Sequence, residues 1–555
     1  MKVGHFKLRN TLVLLSFAIS SISSAQDKVE EPRLTEEIEV VRPYKPVLAD
    51  AVKIRRNPNL NEDQLFKVEQ KYIIPDKRLE LNADIRQLQA QQLNTLPNPR
   101  VKNNYFKAGV GNLNGGLGEL YLNTGDDQAL QAGLYIKHLG QEGDLNKQRF
   151  TTQQIGLFGR SILDQVTLNG DISYDRRSTY FYGFDYENPT ANPDPSKQRY
   201  NLLKLSGDLL KNQTGGTNSI DYAAKGEVYF LNSLTGAKEN SIALSGLVSK
   251  AFNHLQFGIN SSVDFTANKD SLNDMGNNIL KANPYVRLTG KGYELNVGLN
   301  LTNEFGGISR TNVLPAVTGE LNIIPKYASL FAGFTGDVLK TSLRQLSLEN
   351  PYLASTQNIR NSVERTNIYA GIKGNAGSGF GYKISAYYRT VTDLPLLVNS
   401  VNGIRIFDII YDGGDSEIIG FEGEVSLNTS ETFSWTGKVL INNYNLATEA
   451  SAWSKPDFQL ISAGRLSVNK NLVVHGQVLL NGETEAKTYT YSPLPVANVI
   501  VLKSFVDLSA GAEYRFADKV GLYIQANNIL NSNYQQFLYY PRLGLNVLAG
   551  FNYSF

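Results

Sequence analysis

From about Val101 to Phe555, apolar side chains return at every second position in runs of roughly ten residues, a period that a pleated strand satisfies and a helix does not. Along 506–516, Val506, Leu508, Ala510, Ala512, Tyr514 and Phe516 fall on one face, and Asp507, Ser509, Gly511, Glu513 and Arg515 on the other. Segments 520–527, 255–265, 293–302 and 166–175 repeat the pattern. Alternation by itself means only that one face is apolar, which a soluble sandwich also satisfies. Three features favour a membrane. Strands of about ten residues cross a bilayer at a tilt. The second face carries charges and amides, as a wet lumen permits. Tyr174, Phe265, Tyr514 and Phe516 stand near strand ends, where an interfacial girdle sits.

Such segments occur near 103–113, 117–124, 129–140, 149–162, 166–182, 199–211, 220–232, 240–252, 254–268, 279–289 and 293–305. They continue near 313–325, 327–343, 367–377, 379–397, 416–428, 432–446, 457–469, 471–482, 504–517, 519–530 and 545–555. That makes about 22, an even number as single-chain bacterial barrels require; boundary errors leave roughly 20 to 24 open. Tight turns such as Asp164-Gln165, Asn253, Lys326 and Asp518-Lys519 alternate with longer segments such as 183–198, 269–278, 344–366 and 398–415. Short periplasmic turns and longer outer loops give this rhythm. The expected fold class is all-β: a transmembrane antiparallel barrel over 101–555, preceded by a short, mostly irregular periplasmic or luminal segment.

At the N-terminus, Lys2, Lys7 and Arg9 precede the short apolar run 11–22 and the small residues Ser23-Ser24-Ala25. This reads as a cleaved secretory signal over 1–25, with Gln26 the first mature residue. A buried helix fits less well, because polar, acidic sequence follows at once. No later stretch holds roughly 18 consecutive apolar residues. Residues 26–100 are acidic over 27–39 and broken by Pro32, Pro43, Pro46, Pro58 and Pro75. One helix is expected near Asn82–Leu93, with Leu81, Ile85 and Leu88 on one face, before the break at Pro97-Asn98-Pro99. This extension has too little apolar sequence for a core of its own.

Composition excludes several functions. The chain has no cysteine, which removes disulfides, thiolate metal sites, cysteine nucleophiles and a lipidated cysteine. His5, His138, His254 and His475 are scattered without metal-ligand spacing, and no nucleophile, base and orienter can be assembled around them. No catalytic, metal or cofactor site is therefore expected, and the chain does not read as an enzyme. A net charge of +2 gives no field suited to nucleic acid. The 30 Tyr, 25 Phe and 48 Gly at only 41% hydrophobic content suit a barrel, in which every second strand residue is apolar.

The last fifty residues resemble the end of a TonB-dependent receptor barrel. The stretch Val520-Gly521-Leu522-Tyr523-Ile524-Gln525-Ala526-Asn527-Asn528-Ile529-Leu530-Asn531 is similar to that family's penultimate strand and its Asn-Leu-Phe-Asn-like turn. Tyr534, Pro541-Arg542 and Gly550-Phe551-Asn552-Tyr553-Ser554-Phe555 then match its later elements. Asn350-Pro351-Tyr352-Leu353, followed by Glu364 and Gly371, is similar to the family's Asn-Pro-X-Leu loop, and Gly420-Phe421-Glu422 to its Gly-Val-Glu. The resemblance implies the outer membrane of a Gram-negative cell, with lipid around the wall. It implies insertion machinery that reads the C-terminal Phe551, Tyr553 and Phe555, and transport of solutes such as siderophores, vitamins, glycans or peptides. The family carries a longer plug than residues 26–100 provide, and no plug-like Arg-Gly or Asp-Gly element stands in them, so a full plug is expected to be absent. Glu36-Glu37-Ile38-Glu39-Val40-Val41 is similar to the short box that lends a strand to the TonB energiser by β-augmentation, against the plainer view of an acidic linker. Arg42, Pro43 and Tyr44, with Lys45-Pro46, read as a docking peptide for another protein.

Two functions follow as expectations: a transport-related barrel, or a plugless derivative serving as a scaffold subunit of an outer-membrane assembly or export complex. Barrels of 22 strands keep their lumen plugged. Residues 26–100, inward loops or a partner are the expected fillers, and Glu422, Glu424, Asp507, Glu513 and Arg515 are expected to bond that filler or water.

Overall fold

The computed structural model describes residues 104–125, 129–184, 194–212, 220–377, 379–430, 432–491 and 494–555. The expected signal 1–25, the extension 26–100 and its helix lie outside the described residues. The strands in chain order are β1 Tyr105–Gly111, β2 Gly116–Asn123, β3 Leu130–Glu142, β4 Arg149–Ile162, β5 Val166–Tyr180, β6 Lys197–Lys211, β7 Ile220–Ser233, β8 Lys238–Phe252 and β9 Leu255–Lys269. Next come β10 Asp274–Gly290, β11 Tyr293–Gly306, β12 Arg310–Ile324, β13 Ala328–Leu339, β14 Ser362–Asn375, β15 Phe380–Ser400, β16 Gly403–Ser430, β17 Phe433–Asn445, β18 Phe458–Ser467 and β19 Leu472–Asn481. The last are β20 Thr484–Tyr491, β21 Pro495–Leu502, β22 Phe505–Ala517, β23 Val520–Asn527, β24 Gln535–Phe537, β25 Tyr540–Pro541 and β26 Asn546–Ser554. Among the described residues one helix, α1 Leu343–Glu349, lies between β13 and β14.

Strands β1–β19, β22, β23 and β26 form one 22-stranded antiparallel sheet that closes on itself, because β1 pairs with both β2 and β26. Closure removes the unpaired edges that an open sheet would expose. Each of the 22 strands expected from the two-residue period is present. The main departure is β16, which begins at Gly403, inside the segment 398–415 that reads as a loop in the sequence.

The alternation separates two environments. Leu203, Leu205, Ile242, Leu244, Phe257, Phe334, Leu522 and Ile524 point outward and are exposed, as lipid-facing side chains of a barrel must be. Tyr174, Phe265, Tyr514 and Phe516 stand on the same outer face. On the inner face, charges pair from strand to strand, between neighbours and across one or two intervening strands. Lys373 meets Glu320 at 3.0 Å, Lys281 meets Asp337 at 2.7 Å, and Lys438 bridges Glu422 and Glu424. Asp507 accepts from the Tyr534 hydroxyl at 2.6 Å, and Glu513 from Asn552 Nδ2 at 2.6 Å. These inward groups are therefore satisfied largely by the wall and its connections.

Inward tyrosines also lock strands together. Tyr387 stands directly opposite Gly420, and Tyr369 opposite Gly333. Each ring lies over the neighbouring backbone so closely that a Cβ at either glycine would come within 2.2 Å of it. No helix among the described residues is long and apolar enough to cross a membrane. The two barrel ends differ: one carries tight turns and the other long connections, called here the turn end and the loop end.

A cap built by the long connections

At the loop end, the inner wall changes character. Along β6 and β7 the inward residues pass from Lys204 and Glu227 to the buried Tyr200, Leu202, Tyr229 and Leu231 nearest the rim. An apolar inner rim is a place for packing, and the long connections supply the partners. Tyr182, Leu343, Leu346, Leu353, Ile359, Leu397, Phe407, Phe537 and Tyr540 join these four wall residues in one buried core.

These residues come from connections rooted all round the barrel. Following the wall, eight strands separate the β5–β6 connection from β13–β14, two more reach β15–β16, and six more reach β23–β26. Yet Tyr352 of the β13–β14 connection stacks on Tyr540 of the β23–β26 connection at 3.6 Å, and Tyr182 meets Tyr540 edge-on at 5.0 Å. Phe407, from the β15–β16 hairpin, packs at 5.6 Å against Phe537. Such contacts can form only where the connections meet over the mouth. Backbone carbonyls complete the joint: Pro541 O accepts from Gln148 Nε2 at 2.9 Å and from the Tyr182 hydroxyl at 3.0 Å. Burial pushes the Tyr352 hydroxyl up to about 12, so it stays a proton donor under ordinary conditions.

Two buried carboxylates anchor the cap, one to the wall and one to the β17–β18 connection. Glu239, fully buried at the rim of β8, accepts from the backbone N–H of Leu343 at 2.6 Å and of Arg344 at 3.0 Å, and from the Tyr229 hydroxyl at 2.9 Å. An acceptor there satisfies free N–H groups of the first turn of α1. Ser342 caps the same turn through Gln345 N–H, and Arg344 reaches Glu227 at 2.5 Å. The second is Asp412, which accepts from the backbone N–H of Ala447, Thr448 and Glu449 and from the hydroxyls of Thr448 and Ser416. Burial alone would raise its pKa. The hydroxyls of Ser416 and Thr448 and the surrounding N–H groups more than offset that and hold it well below the usual carboxylate range.

The sequence-derived sites divide between places. Glu37, Ile38, Glu39, Val40, Val41, Arg42, Pro43 and Tyr44 lie outside the described residues. Phe551, Tyr553 and Phe555 all face outward on or beside the closing strand, where Phe551 meets Phe106 at 5.8 Å and Tyr553 stacks on Phe555 at 5.3 Å. Several elements of the family resemblance prove to be cap parts. Asn350 and Leu353 are fully buried in it, Pro541 is its carbonyl anchor, and Tyr534 stacks on Phe505 at 3.9 Å. Glu239, Asp412, Phe407 and Tyr182 had no sequence signal, because what marks them is contact between distant connections. Among the described residues, no group of three or more histidine, aspartate or glutamate side chains is placed to hold a metal ion. An apolar hollow of about 810 Å³ does exist, but it sits on the lipid face, over the row Gly319, Ala332, Ala370 and Ala386 and between Leu295, Leu330 and Phe421.

No protein-family model matches the chain, and no curated relative matches it in sequence. Solved structures do match in fold. The pyoverdine outer membrane receptor FpvA from Pseudomonas aeruginosa, bound to pyoverdine, superposes with a TM-score of 0.62 at 11% identity, over 82% of this chain and 79% of that one. The FrpB iron transporter from Neisseria meningitidis gives 0.62 at 11% identity over 81% of each chain. A variant of the ferric enterobactin receptor PfeA from P. aeruginosa gives 0.56 at 12% identity over 82% of this chain and 80% of that one. The described residues thus share the 22-stranded barrel fold of these outer-membrane receptors.

Proposed function

We propose that the chain is an outer-membrane barrel of the TonB-dependent receptor type, with its loop end facing outward and held shut at rest by its own connections, and that it serves gated passage of a solute. The observation that carries this reading is the cap: Tyr352, Tyr540, Tyr182 and Phe407, rooted on different arcs of the wall, meet in one buried core. A passive pore would leave that mouth open. Likeness of fold to siderophore and iron receptors supports transport, and the box at Glu36–Val41 supports energising by a TonB-like partner. Loss of growth on one iron or nutrient source after gene deletion, reproduced by deleting residues 27–60, supports the reading. Normal growth on every source tested contradicts it.

A second reading, a scaffold subunit in a larger outer-membrane complex, draws on β21. This strand pairs only with β20, carries no charge from Pro495 to Leu502, and leaves Val496, Val499 and Val501 exposed. An unpaired apolar edge of this kind is a template for pairing with another chain. Stoichiometric protein partners on gentle purification, lost when Val499→Lys is introduced, favour this reading over uptake.

A further inference from the structure

We infer that residues 395–411 form a hinged strap, and that the loop end opens by rotation of this strap at its root, beside the bulge that sets Asp393 against Gly413-Gly414. The inference rests on the reading that the cap shuts the outer mouth.

The argument begins with register. Strands β15 and β16 pair without interruption up to Thr392 opposite Asp415, and the next pair is Leu394 opposite Asp412. The ladder therefore carries one bulge at this level: Asp393 on one arm faces Gly413 and Gly414 on the other. Asp393 has a φ of 58° and Gly414 a φ of 155°, values that ordinary strand residues avoid. A bulge of two residues against one bends the ribbon and raises its local twist. The wall stops at the same level. Strand β14 accompanies β15 only to Val363 opposite Thr392, and β17 accompanies β16 only from Glu417 onward. Beyond the break the hairpin is a two-stranded ribbon with no wall strand beside it.

The two ends of the ribbon are held by different chemistry. The hinge is fixed by charges. Arg310 Nη1 lies 2.9 Å from Asp393 and Arg360 3.5 Å from it, while Ser362 Oγ donates to Asp393 O at 2.8 Å. Across from it, Asp412 gathers the N–H groups of 447–449. The far part is held by ring contacts and neutral hydrogen bonds. Phe407 N–H donates to Tyr352 O and Ala354 N–H to Phe407 O, both at 2.9 Å; the Tyr540 hydroxyl donates to Arg405 O at 2.5 Å; Ser454 Oγ donates to Leu397 O at 3.1 Å. Release of the far part costs contacts that reform on closing, while the charged clamp keeps the root in place. Hinges in known closures are a few element-terminal residues that absorb a backbone change, and Asp393 and Gly413-Gly414 occupy that position here.

The absence of cysteine in the chain makes the test clean. Ser245→Cys places one thiol on the inner face of β8, below the cap, and a bulky membrane-impermeant maleimide is applied to intact cells. With the strap closed, labelling is slow. The latch variant Phe407→Ala with Tyr540→Ala is expected to speed it at least tenfold. So is a short Gly-Ser turn replacing 395–411, with heat-modifiable migration on gels confirming an intact barrel in both. Gly414→Val tests the hinge itself. It leaves the latch residues in place, but its Cβ would meet the Ala447 methyl at 2.7 Å in the closed form, so labelling should rise severalfold. Fast labelling of the otherwise unaltered chain overturns the shut mouth. Slow labelling after loss of the strap overturns the strap as gate. Fast labelling of the latch variant with Gly414→Val unchanged leaves the shut mouth standing and overturns the hinge.

Discussion

Tyr352 and Tyr540 lie stacked, 17° from parallel with ring centroids 3.6 Å apart, although their connections leave the wall eight strands from one another. Their contact joins the two sides of the mouth. Tyr540→Ala removes that stack, the edge contact to Tyr182 and the hydrogen bond to Arg405 O. Truncating a buried aromatic residue costs about 3–5 kcal/mol. Amide hydrogen exchange should therefore accelerate at 352–354 and 405–409 while the wall strands keep their protection.

Glu239 is the anchor of α1. Glu239→Ala strips acceptors from two backbone N–H groups and one hydroxyl, each costing about 1–3 kcal/mol when left buried and unpaired. Proteolytic cleavage within 343–349 should then appear where none occurs in the parent chain. Glu239→Gln is expected to fall between the two, because one amide N–H₂ would face the Leu343 N–H.

The pH response of the strap root follows from Asp412. Its carboxylate is held below the ordinary range, so its stabilising contribution is complete above the unfolded value of about 3.9. It is lost only as pH falls through the lower folded value. Exchange protection at Leu394–Leu397, corrected for intrinsic rates, should stay level from about pH 5 to 8 and drop in strong acid. Asp412→Asn should be less protected throughout, with that acid step absent.

The tyrosine–glycine contacts give a paired control. Gly420→Ala drives a methyl against the Tyr387 ring, and overpacking of this kind costs about 1–3 kcal/mol. At Gly118 nothing lies within 4 Å of the position a Cβ would take. The temperature at which the barrel loses its folded migration on gels should fall for Gly420→Ala and hold for Gly118→Ala.

The wall was legible in the sequence because lipid on one side and water on the other impose a strict period of two, and side chains such as Leu522 and Tyr523 obey it residue by residue. The tight turns were legible for the same reason. The cap was not. Its segments, such as Asn350–Leu353 and Tyr534–Pro541, have no period, and their burial depends on connections hundreds of residues apart in sequence meeting at the rim. The strand content of 403–415 was hidden because the whole of 398–415 reads as one long connection, whereas Gly413-Gly414 form a bulge inside a long hairpin. Asn350-Pro351-Tyr352-Leu353 and Pro541 were noticed through resemblance, without a hint that they touch neighbouring parts of one core.

Closure of the loop end is tested most directly by cross-linking. Tyr352→Cys and Tyr540→Cys together introduce the chain's only two thiols. Treated in intact cells with a short thiol-specific linker, they should join within one molecule and give a near-complete mobility shift. Two thiols that each react with a monofunctional reagent yet never join, in a barrel that still migrates as folded, would show that the connections do not meet over the mouth.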